Sequence, residues 1–185
     1  MIILFLIIVF LLLLLLYFYR PPPSYSYPVY STDLISPADG VVKSIKDIEI
    51  TNMGLKRKYK VIHIFIGIQN IHTQVYPSNG LIIKAEYSPT KIFKDARGDT
   101  SQNERLDTYL DNGIIIQQIA GKFARRIEAY NPVGSIVKQG QQLGRITLGS
   151  GCQVFLPNDR FRISDNIKVG SIVKVGHTII SNQRI

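Results

Sequence analysis

From Ile2 to Tyr19 the chain carries no charge and is built almost wholly of Ile, Leu, Val and Phe. A helix that is apolar all round has no face to give to water, so it must be covered by a large protein core or by lipid. At 1.5 Å per residue this run makes a helix of about 27 Å, close to the hydrocarbon thickness of a bilayer. Tyr17, Phe18 and Tyr19 then fall at the interface, with Arg20 just outside it. A cleaved signal peptide is the rival reading, but the run is too long, no basic segment precedes it and no small-residue cleavage site follows. Residues 1–19 are therefore expected to form a single-pass transmembrane anchor. All 22 Lys and Arg residues follow it, and the positive-inside bias puts the rest of the chain on the cytoplasmic face, with Arg20 the only charge near the end of the run.

Pro21-Pro22-Pro23 and the Ser/Tyr/Pro tract to Ser31 can neither continue a helix nor build a core, so 20–33 reads as a semi-rigid polyproline spacer. Residues 34–185 suit one domain. Ile and Val crowd this region and favour strands over helices. Pro37 and Asp39-Gly40 mark a turn that leads into a strand. The run Val61–Ile68 is apolar enough to be covered on both faces, and it passes into the polar loop 69–77. Another strand is expected over 81–87, then a long polar loop over 88–105 and a type I′ hairpin turn at Asn112-Gly113.

Late in the chain an internal similarity appears. Val133-Gly134-Ser135-Ile136-Val137-Lys138-Gln139-Gly140 recurs as Val169-Gly170-Ser171-Ile172-Val173-Lys174-Val175-Gly176. Each copy reads as a turn, a short strand, a glycine turn and another strand. The pattern resembles the half-units of lipoyl- and biotinyl-like β-sandwich modules. The expected fold is therefore mainly β: a β-sandwich or barrel-like domain with hairpin repeats, preceded by the helix.

The single cysteine, Cys152, excludes an internal disulfide and a cysteine-rich zinc site, and is most simply a small buried hydrophobe. The net charge of +9 would suit nucleic acid, yet no recognised motif and no interleaving of aromatic with basic residues is present, so nucleic acid is not an expected partner. Lys56-Arg57-Lys58-Tyr59-Lys60 reads as a charged hairpin tip, solvated or lying against anionic headgroups.

Chemistry is expected at Gly149-Ser150-Gly151. A serine between glycines can reach unusual backbone angles and leaves room for a side chain to approach the peptide bond; a strand bulge is the plainer reading. A serine hydroxyl becomes a nucleophile when a base takes its proton, usually a histidine set by a carboxylate. Of the three histidines, His63 lies within an apolar strand, His177 in a repeat turn, and His72 in the polar loop after a buried strand, where functional groups concentrate. Asp39, an Asx-turn residue on the plain reading, could complete the set if folding brings it to His72 and Ser150.

Taken in order, Ser36-Pro37-Ala38-Asp39-Gly40, then Asn70-Ile71-His72 with Pro77 and Gly80 behind it, then Leu148-Gly149-Ser150 resemble the three signature sites of phosphatidylserine decarboxylases. Asn103-Glu104-Arg105 and the stretch Gln118 to Ile127 resemble the short, archaeal-like form of that family. The resemblance runs from about residue 34 to 182. Longer members carry a second histidine where this chain has Val75, and members often have Ser, Thr or Arg where it has Gly151.

That resemblance implies a self-processing proenzyme. Asp39 would orient His72, His72 would deprotonate Ser150, and the alkoxide would attack the Gly149 carbonyl. Cleavage between Gly149 and Ser150 would leave a β-chain, 1–149, and an α-chain, 150–185, that begins with a pyruvoyl group made from Ser150. No metal and no pyridoxal phosphate is expected. The implied substrate is phosphatidylserine in a membrane, decarboxylated to phosphatidylethanolamine in phospholipid biosynthesis, with His72 returning the proton; association into a homo-oligomer is left open. Two other readings compete: a membrane-anchored, non-enzymatic lipoyl/biotinyl-like β module, which lacks a Met-Lys-Met-like or Asp-Lys-Ala-like tip, and a relative that no longer processes.

Overall fold

The computed structural model describes residues 1–23, 32–52, 55–90, 94–122, 126–147 and 149–183. Most of the expected spacer (24–31), Leu148 of the third signature and Phe123 to Arg125 lie outside the described residues. The apolar run forms helix α1 (Ile2–Phe18), 17 residues with no buried side chain. It closes at Tyr19, whose N–H donates to the Leu15 carbonyl. It cannot run on, because Pro21 disfavours helical angles at Arg20 and the three prolines offer no donors. The helix is thus about 26 Å long against about 30 Å of hydrocarbon. Among the described residues no helix is long and apolar enough to cross a membrane. The helix expected within 1–19 is thus present, while a single-pass span is not borne out by its length.

The rest is β. The strands are β1 (Asp33–Ile35), β2 (Gly40–Asn52), β3 (Leu55–Ile66), β4 (Thr73–Val75), β5 (Gly80–Ser88), β6 (Arg105–Leu110), β7 (Ile115–Ile119), β8 (Ile127–Ala129), β9 (Ile136–Val137), β10 (Gln142–Ile146), β11 (Ser150–Pro157), β12 (Phe161–Ile163), β13 (Ile172–Val173) and β14 (Ile179–Gln183). A curled eight-stranded sheet has the order β13-β2-β3-β11-β7-β6-β5-β9, and two small sheets have the orders β1-β14-β12 and β4-β10-β8. All the pairings are antiparallel. One face of the large sheet carries Val42, Ile62, Ile64, Ile66, Ile116, Cys152 and Val154 into a common core with Ile146, Leu143 and Ile180 from the small sheets. Alternation along each strand gives this face its apolar residues and leaves the opposite face mixed.

The strand orders expose a duplication wider than the repeat visible in the sequence. The set β13-β2-β3-β11 with β1-β14-β12 matches β9-β5-β6-β7 with β4-β10-β8, strand for strand. The equivalence reaches back to Ser36-Pro37-Ala38-Asp39-Gly40 and Tyr76-Pro77-Ser78-Asn79-Gly80. Gly40 pairs with Val173 as Gly80 pairs with Val137. Val42 exchanges hydrogen bonds with Gly170 and Ser171 as Ile82 does with Gly134 and Ser135. The second half (73–146) is therefore inserted into the first (33–66 and 150–183), between β3 and β11.

Two local expectations change. The β6–β7 loop is not a two-residue type I′ turn: Leu110 N–H donates to the Ile114 carbonyl, enclosing three residues with Gly113 at φ +88°. Asp111 is drawn out of the ladder by β5, accepting from Leu81 N–H and donating its own N–H to the Leu81 carbonyl. The basic cluster lies within β3, and three of its cations face acids: Lys56 to Glu49, Lys60 to Asp47 and Arg57 to Asp159.

Candidate active site

The two crossings between the halves, Gly67 to His72 and Thr147 to Gly149, meet at one place. Ile146 N–H donates to the His72 carbonyl at 3.1 Å, so the end of β10 is tied to the residue that precedes β4. Asp39, buried in its turn, joins the first crossing: its Oδ2 accepts from Ile71 N–H and Asn70 Nδ2, both at 3.1 Å. Asn70 in turn accepts from Gly67 N–H. The other carboxylate oxygen, Oδ1, has no hydrogen-bond partner and faces Lys174 Nζ at 3.6 Å.

His72 is 1% exposed. Its ring lies under that of Phe18, the last residue of α1, with centroids 4.2 Å apart. Its carbonyl also accepts from Gln74 Nε2, which is anchored in turn by Gln118. No hydrogen bond reaches either ring nitrogen. Burial pushes its pKa down to about 4, and the charges of Arg20 and Arg145 push the same way, against the Asn70 backbone and Asp39. The imidazole is thus neutral at physiological pH.

Ser150 opens β11 opposite Ile66, fully buried, with its Oγ unpartnered. Gly149 before it has φ +70°, a conformation that L side chains resist. The Gly121 backbone passes so close to the Gly149 carbonyl that a Cβ at residue 121 would collide with its oxygen. Asp39, His72 and Ser150 are therefore gathered around the two crossings without hydrogen bonds linking one to the next.

His63 is placed elsewhere. It pairs with Gln153 on the sheet face opposite Ile62, Ile64 and Ser150. Its Nε2 is buried and unpartnered, 2.9 Å from where a Cβ at Gly151 would stand. Burial, and then Lys46 and Lys43, lower its pKa. His177 is exposed in a turn of the first half. The Cys152 thiol is fully buried and pushed up to about 12, which leaves it protonated. Among the described residues no group of three or more His, Cys, Asp or Glu side chains could hold a metal ion.

Sequence reasoning passed over Lys174, Gly121, Phe18 and Arg145. Lys174 had a signal, since it stands in the second repeat copy where Lys138 stands in the first, and Gly121 had one in lying within the stretch Gln118 to Ile127. The others are close in space and far in sequence.

Comparison with known proteins gives a family match. Residues 11–181 match the family model described as phosphatidylserine decarboxylase. A phosphatidylserine decarboxylase proenzyme from Wolbachia sp. subsp. Brugia malayi (strain TRS) is 34% identical over 159 residues, covering 80% of this chain and 67% of the relative. Proteins of the same name from Anaplasma phagocytophilum (strain HZ) and Rickettsia africae (strain ESF-5) are 32% and 33% identical, each match covering 85% of this chain and 68% of the relative. By these matches the chain belongs to the phosphatidylserine decarboxylase family.

Proposed function

We propose that the chain is a self-processing, pyruvoyl-dependent decarboxylase that converts phosphatidylserine to phosphatidylethanolamine, with 34–185 as its catalytic domain and Gly149–Ser150 as the bond it cuts. The observation that carries this reading is a set of buried polar atoms without a hydrogen-bond partner among the described residues: Asp39 Oδ1, both His72 nitrogens and Ser150 Oγ. Each such group costs about 1–3 kcal/mol, so their gathering at one bond supports a chemical role rather than a structural one.

The residues suit the chemistry. Neutral His72 has a lone pair to take the Ser150 hydroxyl proton. Asp39 holds the loop that carries His72 through Ile71 and Asn70, and Lys174 Nζ stands 3.6 Å from its other oxygen. Ser150 Oγ attacks the Gly149 carbonyl carbon; the C–N bond breaks, nitrogen takes the proton, and an ester joins 149 to the side chain of 150. Loss of the residue 150 α-proton then expels the Gly149 carboxylate and cuts the chain. The enamine left at residue 150 gains water and loses ammonia, giving the pyruvoyl group. That group supplies the electron sink for loss of the substrate carboxylate. His72 is the acid–base group placed to hand a proton to the substrate carbon.

We also place α1 in the bilayer beside the lipid substrate, its exposed apolar surface in hydrocarbon and Tyr17 to Arg20 at the interface. The paired halves fit lipoyl/biotinyl-like units.

Intact mass of the purified protein tests the reading. The parent chain should give fragments 1–149 and 150–185, the smaller one bearing an N-terminal ketone, and should release carbon dioxide from phosphatidylserine. Ser150→Ala should remain one chain. A parent protein that stays whole, or a small fragment with an ordinary amine, would return the chain to the non-processing readings.

A further inference from the structure

We infer that Arg20 and Arg145 form a cationic seat for the phosphodiester of the phospholipid headgroup, at the foot of α1 and beside His72. This rests on the lipid-decarboxylase reading and adds to it the site that holds the lipid.

Three described guanidinium groups, those of Arg20, Arg145 and Arg160, have no Asp or Glu within ion-pair distance; Arg160 lies away from the site and donates to the Asn112 carbonyl in the β6–β7 turn. Arg57, Arg97, Arg105, Arg126 and Arg162 each lie within 4.0 Å of an Asp or Glu. Among the described residues neither Arg20 nor Arg145 has such a partner. Both are nonetheless held in place. Arg20 donates to the Tyr17 carbonyl at 2.6 Å and to the Gln69 carbonyl at 2.7 Å, and stacks on the Tyr17 ring at 4.0 Å. Arg145 reaches Thr73 Oγ1 at 3.4 Å and lies 5.0 Å from the Tyr19 ring. Fixed, unneutralised arginines on aromatic faces are what recognition of a phosphate oxygen pair requires, since the planar fork donates two parallel hydrogen bonds.

Their position matches the layout of the substrate. Acyl chains would lie along the apolar surface of α1, the phosphodiester at its Tyr17–Arg20 end, and the serine head inward past Phe18 toward His72 and Ser150. Arg20 stands two residues after Phe18, whose ring lies on His72, and Arg145 pairs with Thr73, the residue after His72, so both arginines stand on the segments that frame that ring. Charge gives the seat a direction as well. Phosphatidylserine carries a phosphate, a carboxylate and an ammonium, net −1; its product has lost the carboxylate and is net neutral. Two cations favour the substrate and help release the product.

The test uses full-length protein in neutral-detergent mixed micelles, with rates normalised to the processed fraction read by intact mass. Arg20→Gln and Arg145→Gln should each raise the surface KM for phosphatidylserine by about tenfold, the worth of one charge-assisted hydrogen bond, with a smaller change in kcat. Inhibition by soluble glycerophosphoserine, which has the headgroup and no acyl chains, should weaken in step. Parent-like KM and inhibition in both variants would overturn the seat while leaving the decarboxylase reading intact; a processed parent protein that converts no phosphatidylserine would sink that reading instead. Flotation with phosphatidylglycerol vesicles supplies the other arm. If the variants lose vesicle binding while their inhibition by glycerophosphoserine stays that of the parent, the arginines serve only as attraction to an anionic surface, and the proposal fails.

Discussion

The two halves of the domain share a plan and differ where the chemistry is placed. In the second half β6 turns directly into β7 through Asp111-Asn112-Gly113, and Ile114 follows, apolar and fully buried. In the first half the equivalent turn has been opened to admit all of residues 73–146, and the strand resumes with Gly149 and Ser150. Each half ends its turn with a glycine at positive φ, Gly149 at +70° and Gly113 at +88°. The residue that follows is a buried hydrocarbon, Ile114, in one half and Ser150, buried with an unpartnered hydroxyl, in the other. Asp39 and Asn79 repeat the contrast. The Asn79 Oδ1 accepts from Gln139 N–H at 2.8 Å and closes a turn, whereas Asp39 leaves one oxygen unbonded beside Lys174. One half shows what the plan needs to be stable, and the other shows what was given up at a single bond.

Exchanging the two turn residues breaks this comparison most severely. Asp39→Asn gives the first half the residue of the second and removes the carboxylate beside His72. Cleavage at Gly149 should slow by at least about 100-fold, as when the carboxylate that sets a catalytic imidazole is made neutral. Asn79→Asp puts the acid in the half with no histidine and no opened turn, and should leave cleavage within about twofold. A time course of chain cleavage on a gel checks both. Equal rates for Asp39→Asn and the parent would reduce Asp39 to a turn residue.

Much of the architecture was legible from residue pattern, and the reason is periodicity. Ile62, Ile64 and Ile66 alternate with residues of the other face, and the Val-Gly-Ser-Ile-Val-Lys copies carry their own turn glycines. The duplication beyond those copies was not legible, because Ser36–Gly40 and Tyr76–Gly80 share only Pro and Gly in register, and because the second half interrupts the first. Asp39, His72 and Ser150 stood out as polar residues at turns beside apolar runs. Lys174, Gly121 and Arg145 act through contacts between residues far apart in the sequence, and spacing along the chain does not record such contacts. The helix end was misjudged by one residue: composition runs to Tyr19, while the prolines after Arg20 stop the backbone at Phe18.

Gly151 sharpens the comparison further. Two residues beyond its own turn glycine the second half carries Ile115, opposite Tyr109. A side chain is tolerated there and not in the first half, where His63 Nε2 lies 2.9 Å from the Cβ position. The departure from the family pattern at residue 151 is thus matched by a ring that occupies the space. Gly151→Ser should displace β11 next to the reactive serine and slow cleavage about tenfold; small misplacements near a reacting group commonly cost that much or more. Combining it with His63→Ser frees the space, so the double variant should cleave faster than Gly151→Ser alone. A double variant as slow as Gly151→Ser would show that the loss has another origin than the ring.

The smallest effect concerns acid. His63 lies on β3 of the first half and Asp107 on β6 of the second, opposite Gln153 and Gln117, and burial drives both toward their neutral forms. It lowers the histidine and raises the carboxyl. The two shifts act on stability with opposite signs. A lowered histidine favours folding above its unfolded pKa, and that gain fades as pH falls toward the folded value. A raised carboxyl favours folding below its unfolded pKa and less so as pH climbs through the folded one. His72, brought down to about 4, sets the window with His63. In the uncut Ser150→Ala background Tm should therefore fall as pH drops from about 6.5 to about 4. His72→Gln should flatten most of that slope and His63→Gln part of it. Asp107→Asn should steepen the slope just above about pH 4, because the raised carboxyl it removes acts there in the opposite sense. A slope unchanged by either histidine substitution would mean that the acid sensitivity lies outside the opened half.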